Sequence, residues 1–193
     1  VTDQLDDEVR TLTDETGEVI IETDVNLVSL PRPRPPHNGD PLAQTFKVDD
    51  ASGIFVTKCD IFFQSKSDNL PIAMEIRETT MGTPNDIILP FSHVVKDPKD
   101  IDISQDGKVA TTFEYSGPVY LKGNTEYAIV LLSNSTDYNV WISRLGEPEI
   151  STAGQEAGQI LVTTQPLMGS LFKSQNASAW TASQYEDLKF TLY

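Results

Sequence analysis

The segment Ile54 to Phe63, IFVTKCDIFF, constrains the fold more than any other stretch of the chain. Read with a period of two, it puts Phe55, Thr57, Cys59, Ile61 and Phe63 on one face. Ile54, Val56, Lys58, Asp60 and Phe62 fall on the other. That period belongs to a β-strand, here with one apolar and one mixed face. Its β-branched and aromatic residues suit a pleated, half-buried surface. After the polar connection SKSDNLP, Ile72, Met74 and Ile76 share a face against Ala73, Glu75 and Arg77. Two alternating runs across a short polar connection predict an antiparallel hairpin. Phe55, Ile61, Phe63, Ile76, Ile129 and Phe190 are the expected core.

The same pattern continues downstream. Leu42–Val48, Ser92–Lys96, Val119–Leu121, Tyr138–Leu145, Ile160–Thr164, Met168–Ser174 and Leu188–Tyr193 read as short strands. Glu126–Ser133, EYAIVLLS, is apolar on both faces, which predicts a central strand covered on both sides. Asp106-Gly107 signals a hairpin turn between Ile101–Ser104 and Val109–Tyr115. Thr80–Pro90 and Gln175–Asp187 read as polar loops. No segment sustains a helical period over ten residues. Short strands with turn signals between them predict an all-β, antiparallel, jelly-roll-like β-sandwich.

Residues 1–39 differ in character. They are acidic, then proline-rich, with four prolines among Pro31–Pro36. Proline removes ladder donors and favours a stiff polyproline stretch. Residues 1–39 are therefore expected to form an extended arm or linker, and residues 40–193 the sandwich. The opening Val1 and the strand-like final run raise the expectation of a piece of a longer polypeptide.

Charge and composition narrow the partners. The 193 residues carry 29 acids against 14 bases, a net charge of −15. Such a field repels phosphate backbones, so nucleic acid is not expected to bind. No run approaches the ~20 apolar residues of a membrane span, so no membrane insertion is expected. The single cysteine, Cys59, precludes an intramolecular disulfide, and its face makes it a buried small hydrophobe.

Chemistry-bearing motifs are sparse. His37 and His93 lie beside no nucleophile or ligand pattern. Glu75, Glu78, Glu147 and Glu149 offer carboxylates, but pairing for hydrolysis depends on spatial separation. Asp102 to Gly107 imitates the opening of a calcium loop. Position twelve is then Phe113, which has no carboxylate to give. The chain is accordingly expected to be no enzyme and to hold no metal or cofactor. Trp180 and Trp141, with Tyr138, are the candidate partner-binding residues, as interface anchors or as a sugar platform.

A set of longer blocks carries a resemblance. They are DPLAQTF (40–46), GIFVTKCDIFFQSK (53–66), LPIAMEIRETTMGTP (70–84), PVYLKGNTEYAIVLLSNSTDYNVWISRLGE (118–147) and QPLMGSLFKSQNASAWTASQYEDLKFTLY (165–193). Together they resemble a module of large virion structural proteins of contractile-tailed, T-even-like phages, including those of cyanobacteria. Among these they look most like baseplate wedge components. The resemblance spans about residues 38–193. It implies an architectural role in the virion tail baseplate after assembly in the host cytoplasm. It implies other baseplate and tail proteins as partners, and offers no catalytic residues to carry over. The alternative is a carbohydrate-binding module that adsorbs to a host surface glycan.

Overall fold

A computed structural model describes residues 11–13, 19–21, 40–150, 160–163, 169–174 and 179–193. The chain divides into two units, Val1–Arg34 and Pro35–Tyr193. In the first, β1 (Thr11–Thr13) pairs antiparallel with β2 (Val19–Ile21). The expected extended arm and its polyproline stretch otherwise lie outside the described residues.

The second unit is built from strands. They run β3 (Leu42–Lys47), β4 (Ile54–Ile61), β5 (Phe63–Ser65), β6 (Ile72–Thr80), β7 (Thr83–Ile88), β8 (Val94–Lys96) and β9 (Thr111–Leu121). Then come β10 (Glu126–Ser133), β11 (Asn139–Val140), β12 (Ile142–Arg144), β13 (Leu171–Ser174), β14 (Trp180–Ser183), β15 (Glu186–Leu188) and β16 (Phe190–Leu192). A single 3-10 turn at Pro98–Asp100 is the only helical element among the described residues. Among the described residues every strand ladder is antiparallel, with one isolated parallel bridge between Phe63 and Ile103, so the described unit is all-β with antiparallel sheets.

A seven-stranded sheet runs β14-β13-β3-β10-β6-β7, with β8 also paired to β6. A three-stranded sheet runs β16-β4-β9. Two small ladders, β11-β5 and β12-β15, complete the set. The main core draws Ile72, Met74, Ile76, Ile129 and Leu131 from the larger sheet. It draws Val56, Cys59, Ile61, Phe113, Val119 and Leu121 from the smaller. Each such side chain contributes about 1.5–3 kcal/mol by leaving water. As its sequence predicts, β10 is central and buried on both sides. Ala128, Val130 and Leu132 join Ala43 and Phe172 in a second cluster on the opposite face of the sheet.

Several local expectations are corrected. β4 and β6 do not form a hairpin, because they belong to different sheets that share the core. Burial of two apolar faces against each other outweighs pairing of neighbours in sequence. Thr80–Pro90 is no loop but the turn Met81-Gly82 followed by β7. Both turn residues adopt positive φ (53° and 76°), as a tight hairpin requires. Residues 175–187, read as a loop, include β14 and β15. The Asp106-Gly107 turn does not join two laddered strands. Asp102 instead meets β9 through the Thr111 hydroxyl, which accepts from the Asp102 amide at 2.9 Å and donates to its carbonyl at 3.1 Å.

The largest correction concerns Phe55, which is 67 % exposed rather than buried. The cause is a bulge. The Thr57 amide donates to the Tyr193 carbonyl at 2.7 Å, and the Tyr193 amide donates to the Lys58 carbonyl at 3.1 Å. Two residues of β4 therefore face one residue at the end of the neighbouring β16 segment, and alternation inverts there. Against β9, Val56 stands opposite Val119 and Cys59 opposite Phe113. That is three steps on β4 and six on β9, so β9 keeps its alternation and β4 switches. Val56 and Ile61 both point inward, and Phe55 points out. Of the other expected core residues, Ile61, Phe63, Ile76 and Ile129 are fully buried. Phe190 packs half-buried against them.

Candidate interaction surface

The three aromatics singled out from sequence occupy different settings. Tyr138 packs edge-on against Phe63, with ring centroids 6.1 Å apart, and donates its hydroxyl to the Leu70 carbonyl at 2.5 Å. It lines a shallow cleft with Asp40, Leu42, Ser133, Ser135 and Val140. The cleft's hydroxyls are engaged within the chain, Ser133 with Pro71 and Ser135 with Asp137. Trp141 donates its indole N–H to the Ser104 carbonyl at 3.0 Å and lies against Gly107. Trp180 packs on the second cluster, across the large sheet from the core that holds Tyr138. The three therefore form no common platform.

The Asp102–Gly107 loop is closed by the same contacts. The Lys189 ammonium donates to the Gly107 carbonyl at 2.7 Å, and Trp141 holds Ser104. The side-chain oxygens such a loop would use are also engaged: the Asp106 carboxylate accepts from the Lys108 amide at 3.2 Å and pairs with its ammonium at 3.3 Å, and the Ser104 hydroxyl accepts from the Val109 amide at 3.4 Å. Among the described residues, no cluster of three His, Cys, Asp or Glu side chains is placed to hold a metal.

Three exposed aromatics, Phe55, Tyr120 and Tyr193, share the outer face of the β16-β4-β9 sheet. Phe55 and Tyr120 stand opposite each other with centroids 5.1 Å apart, and Tyr120 is 49 % exposed. The Tyr120 hydroxyl donates to the Ser52 carbonyl at 3.1 Å, fixing the ring over the turn at Gly53. Gly53 is needed there: it has φ +77°, and a Cβ would lie 2.6 Å from the Leu121 carbonyl oxygen and the Tyr120 hydroxyl. Further along, the Lys58 ammonium sits 4.4 Å over the Tyr193 ring, within cation–π reach. Lys189 does the same over Phe62, also at 4.4 Å.

Asp60 anchors the middle of this face. Its carboxylate accepts from the Thr112 hydroxyl at 2.6 Å and the Tyr193 hydroxyl at 3.0 Å. Donation to this carboxylate raises the Tyr193 phenol above its ordinary range, because losing the proton would set two anions together. The face thus presents aromatic surface, lysines over two rings, the bound Asp60 carboxylate and the exposed Glu114 opposite Lys58.

A second polar cluster is structural. Glu186 on β15 accepts from Lys173 at 2.6 Å, from Ser183 at 2.9 Å and from Arg144. These donors, Lys173 first, hold its carboxyl down to about 2. The cluster ties β12, β13 and β14 to β15.

No protein-family model, no curated protein and no solved structure matches the chain.

Sequence reasoning passed over Phe55, Tyr120 and Tyr193. The outward direction of Tyr120 was available, since it alternates with the apolar Val119 and Leu121. Phe55 had no such signal, because a bulge formed with Tyr193 sets its direction from more than a hundred residues away.

Proposed function

We propose that the chain is an architectural module of a contractile phage tail, in the baseplate wedge. In this reading it acts through protein–protein contacts in the virion, after assembly in the host cytoplasm. Its finer fold is a jelly-roll-like sandwich, residues 40–193, carrying an N-terminal arm in residues 1–39. The observation that carries the assembly reading is the exposed aromatic face of Phe55, Tyr120 and Tyr193. Aromatic residues standing out of a folded surface are typical of interface centres. The sequence blocks described above supply the phage context.

The glycan alternative needs a flat aromatic patch flanked by free polar groups. Trp141, Trp180 and Tyr138 do not make one, and the Asp60 carboxylate is already bound. The test is a cryo-electron microscopy map of a tail particle built with this chain. Density for residues 40–193 in the baseplate, with the Phe55–Tyr120 face against another protein, is the expected result. A chain absent from the particle, or a glycan array that responds through Trp141 or Trp180, overturns it.

A further inference from the structure

We propose that residues 105–110 form a flap, latched by Lys189, which opens as a unit and uncovers the indole of Trp141. Use of that indole as an anchor for a neighbouring protein rests on the assembly reading, while the flap itself stands on the contacts of this loop.

Both ends of the flap are fixed to neighbouring elements. The Ser104 amide donates to the Phe63 carbonyl at 3.0 Å, and the Ser104 carbonyl accepts from the Trp141 indole at 3.0 Å. At the other end, the hydroxyl of the buried Thr111 ties β9 to Asp102. The segment between is built differently. From residue 105 to residue 110, no main-chain group bonds to another main-chain group among the described residues. The Lys108 amide bonds instead to the Asp106 carboxylate, and the Val109 amide to the Ser104 hydroxyl, both within the loop. Gln105, Asp106, Lys108 and Val109 are exposed. A compact loop with joined ends and few main-chain bonds belongs to the part of a fold that opens first.

Two contacts meet in the middle of the loop, at Gly107. The Lys189 ammonium donates to its carbonyl at 2.7 Å, from a position 4.4 Å over the Phe62 ring. A bond from a charged donor is a strong tie, and this one comes from outside the loop. Gly107 itself is buried between exposed neighbours and lies against Trp141. A Cβ there would stand 3.1 Å from the indole, and its φ of +65° already favours glycine. A side chain at position 107 therefore lifts the flap from the ring. Lys108 pairs with Asp106 inside the flap and moves with it, so it cannot serve as a latch. Half-buried Trp141, singled out from the sequence as a candidate anchor, is thus the surface that the closed flap covers.

The probe is 5-fluorotryptophan, which gives one 19F resonance for Trp141 and one for Trp180, assigned with Trp180→Phe. The isotope shift of each resonance between H2O and D2O reads its exposure to solvent. In the unaltered chain, warming should raise the Trp141 value well below the unfolding midpoint while that of Trp180 stays constant. Lys189→Met keeps the stem over Phe62 and removes the ammonium. It should raise the Trp141 value by about twofold and leave the unfolding midpoint nearly unchanged. Gly107→Ala should raise it from the other side of the contact, and Lys108→Met should not. The proposal is overturned if exposure of Trp141 rises only with global unfolding or in step with Trp180, a measurement that needs no variant. It is equally overturned if Lys189→Met or Gly107→Ala leaves the value unchanged, or if Lys108→Met raises it as much. None of these results bears on whether the chain resides in a tail particle, which the map decides separately.

Discussion

Phe55 and Tyr120 face each other across β4 and β9 outside the core, their rings tilted by 49°. Phe63, eight residues along the same sequence run, lies fully inside it. The two phenylalanines look equivalent in a strand pattern, but their energetics differ. Phe55→Ala should cost only about 1 kcal/mol, the scale of one aromatic pair. Phe63→Ala should cost about 3–5 kcal/mol through the cavity it leaves. Urea unfolding of both variants measures this, and equal losses would mean that the bulge at Thr57 is absent in solution.

Glu186 makes stability depend on acid pH. The unfolded carboxyl titrates near 4.5 and the folded one near about 2. A depressed folded value means that its contribution is complete above about 4.5 and disappears as pH falls toward 2. Glu186→Gln should lower stability at neutral pH by about 2 kcal/mol, the scale of hydrogen bonds to a charged group. The gap between variant and parent should close between pH 4.5 and 2. Thermal midpoints recorded across that range decide it, and a gap independent of pH rejects the assignment.

Arg77 and Glu75 form an ion pair on β6 with side chains only 1 % and 3 % exposed, the nearest charged atoms 3.3 Å apart. Glu75→Ala removes the buried partner and leaves Arg77 facing the exposed Asp86 carboxylate at 3.6 Å, so it should destabilise by roughly 2 kcal/mol. The exposed pair Lys99–Asp97 is screened by water, so Asp97→Ala should leave the unfolding midpoint nearly unchanged. A similar small effect at both sites would contradict the burial of β6.

Cys59 should resist thiol reagents in the native state. It is fully buried, and burial followed by the neighbouring Asp60 pushes its thiol well above the ordinary range. Labelling with a chromogenic disulfide should follow the rate of unfolding and rise steeply with denaturant. Fast stoichiometric labelling without denaturant would show that the three-stranded sheet opens locally.

Calcium should not stabilise the fold through Asp102–Gly107. The Asp106 carboxylate is engaged by Lys108 and the Ser104 hydroxyl by the Val109 amide. Unfolding midpoints with chelator and with millimolar calcium should agree. A ligand that binds only the folded state must raise its stability, so a rise abolished by Asp106→Ala would reverse this reading.

What the sequence determined by itself was the local grammar. The period of two in 54–63 and 72–76, the two-faced run 126–133 and the lack of helical period place the chain among antiparallel β proteins. These signals are local because side-chain direction along a strand follows from backbone geometry alone. Most of the core was legible for the same reason, as Ile61, Phe63, Ile76 and Ile129 show. Only the tertiary structure decided which strands pair. β4 and β6 adjoin in sequence but enter different sheets, because their apolar faces bury against each other across the core. It also decided the candidate surface. The Tyr193 backbone reaches Thr57 and Lys58, inserts a bulge and turns Phe55 outward. A register shift of one residue exchanges the two faces of a strand, and its cause here lies 136 residues away in the chain.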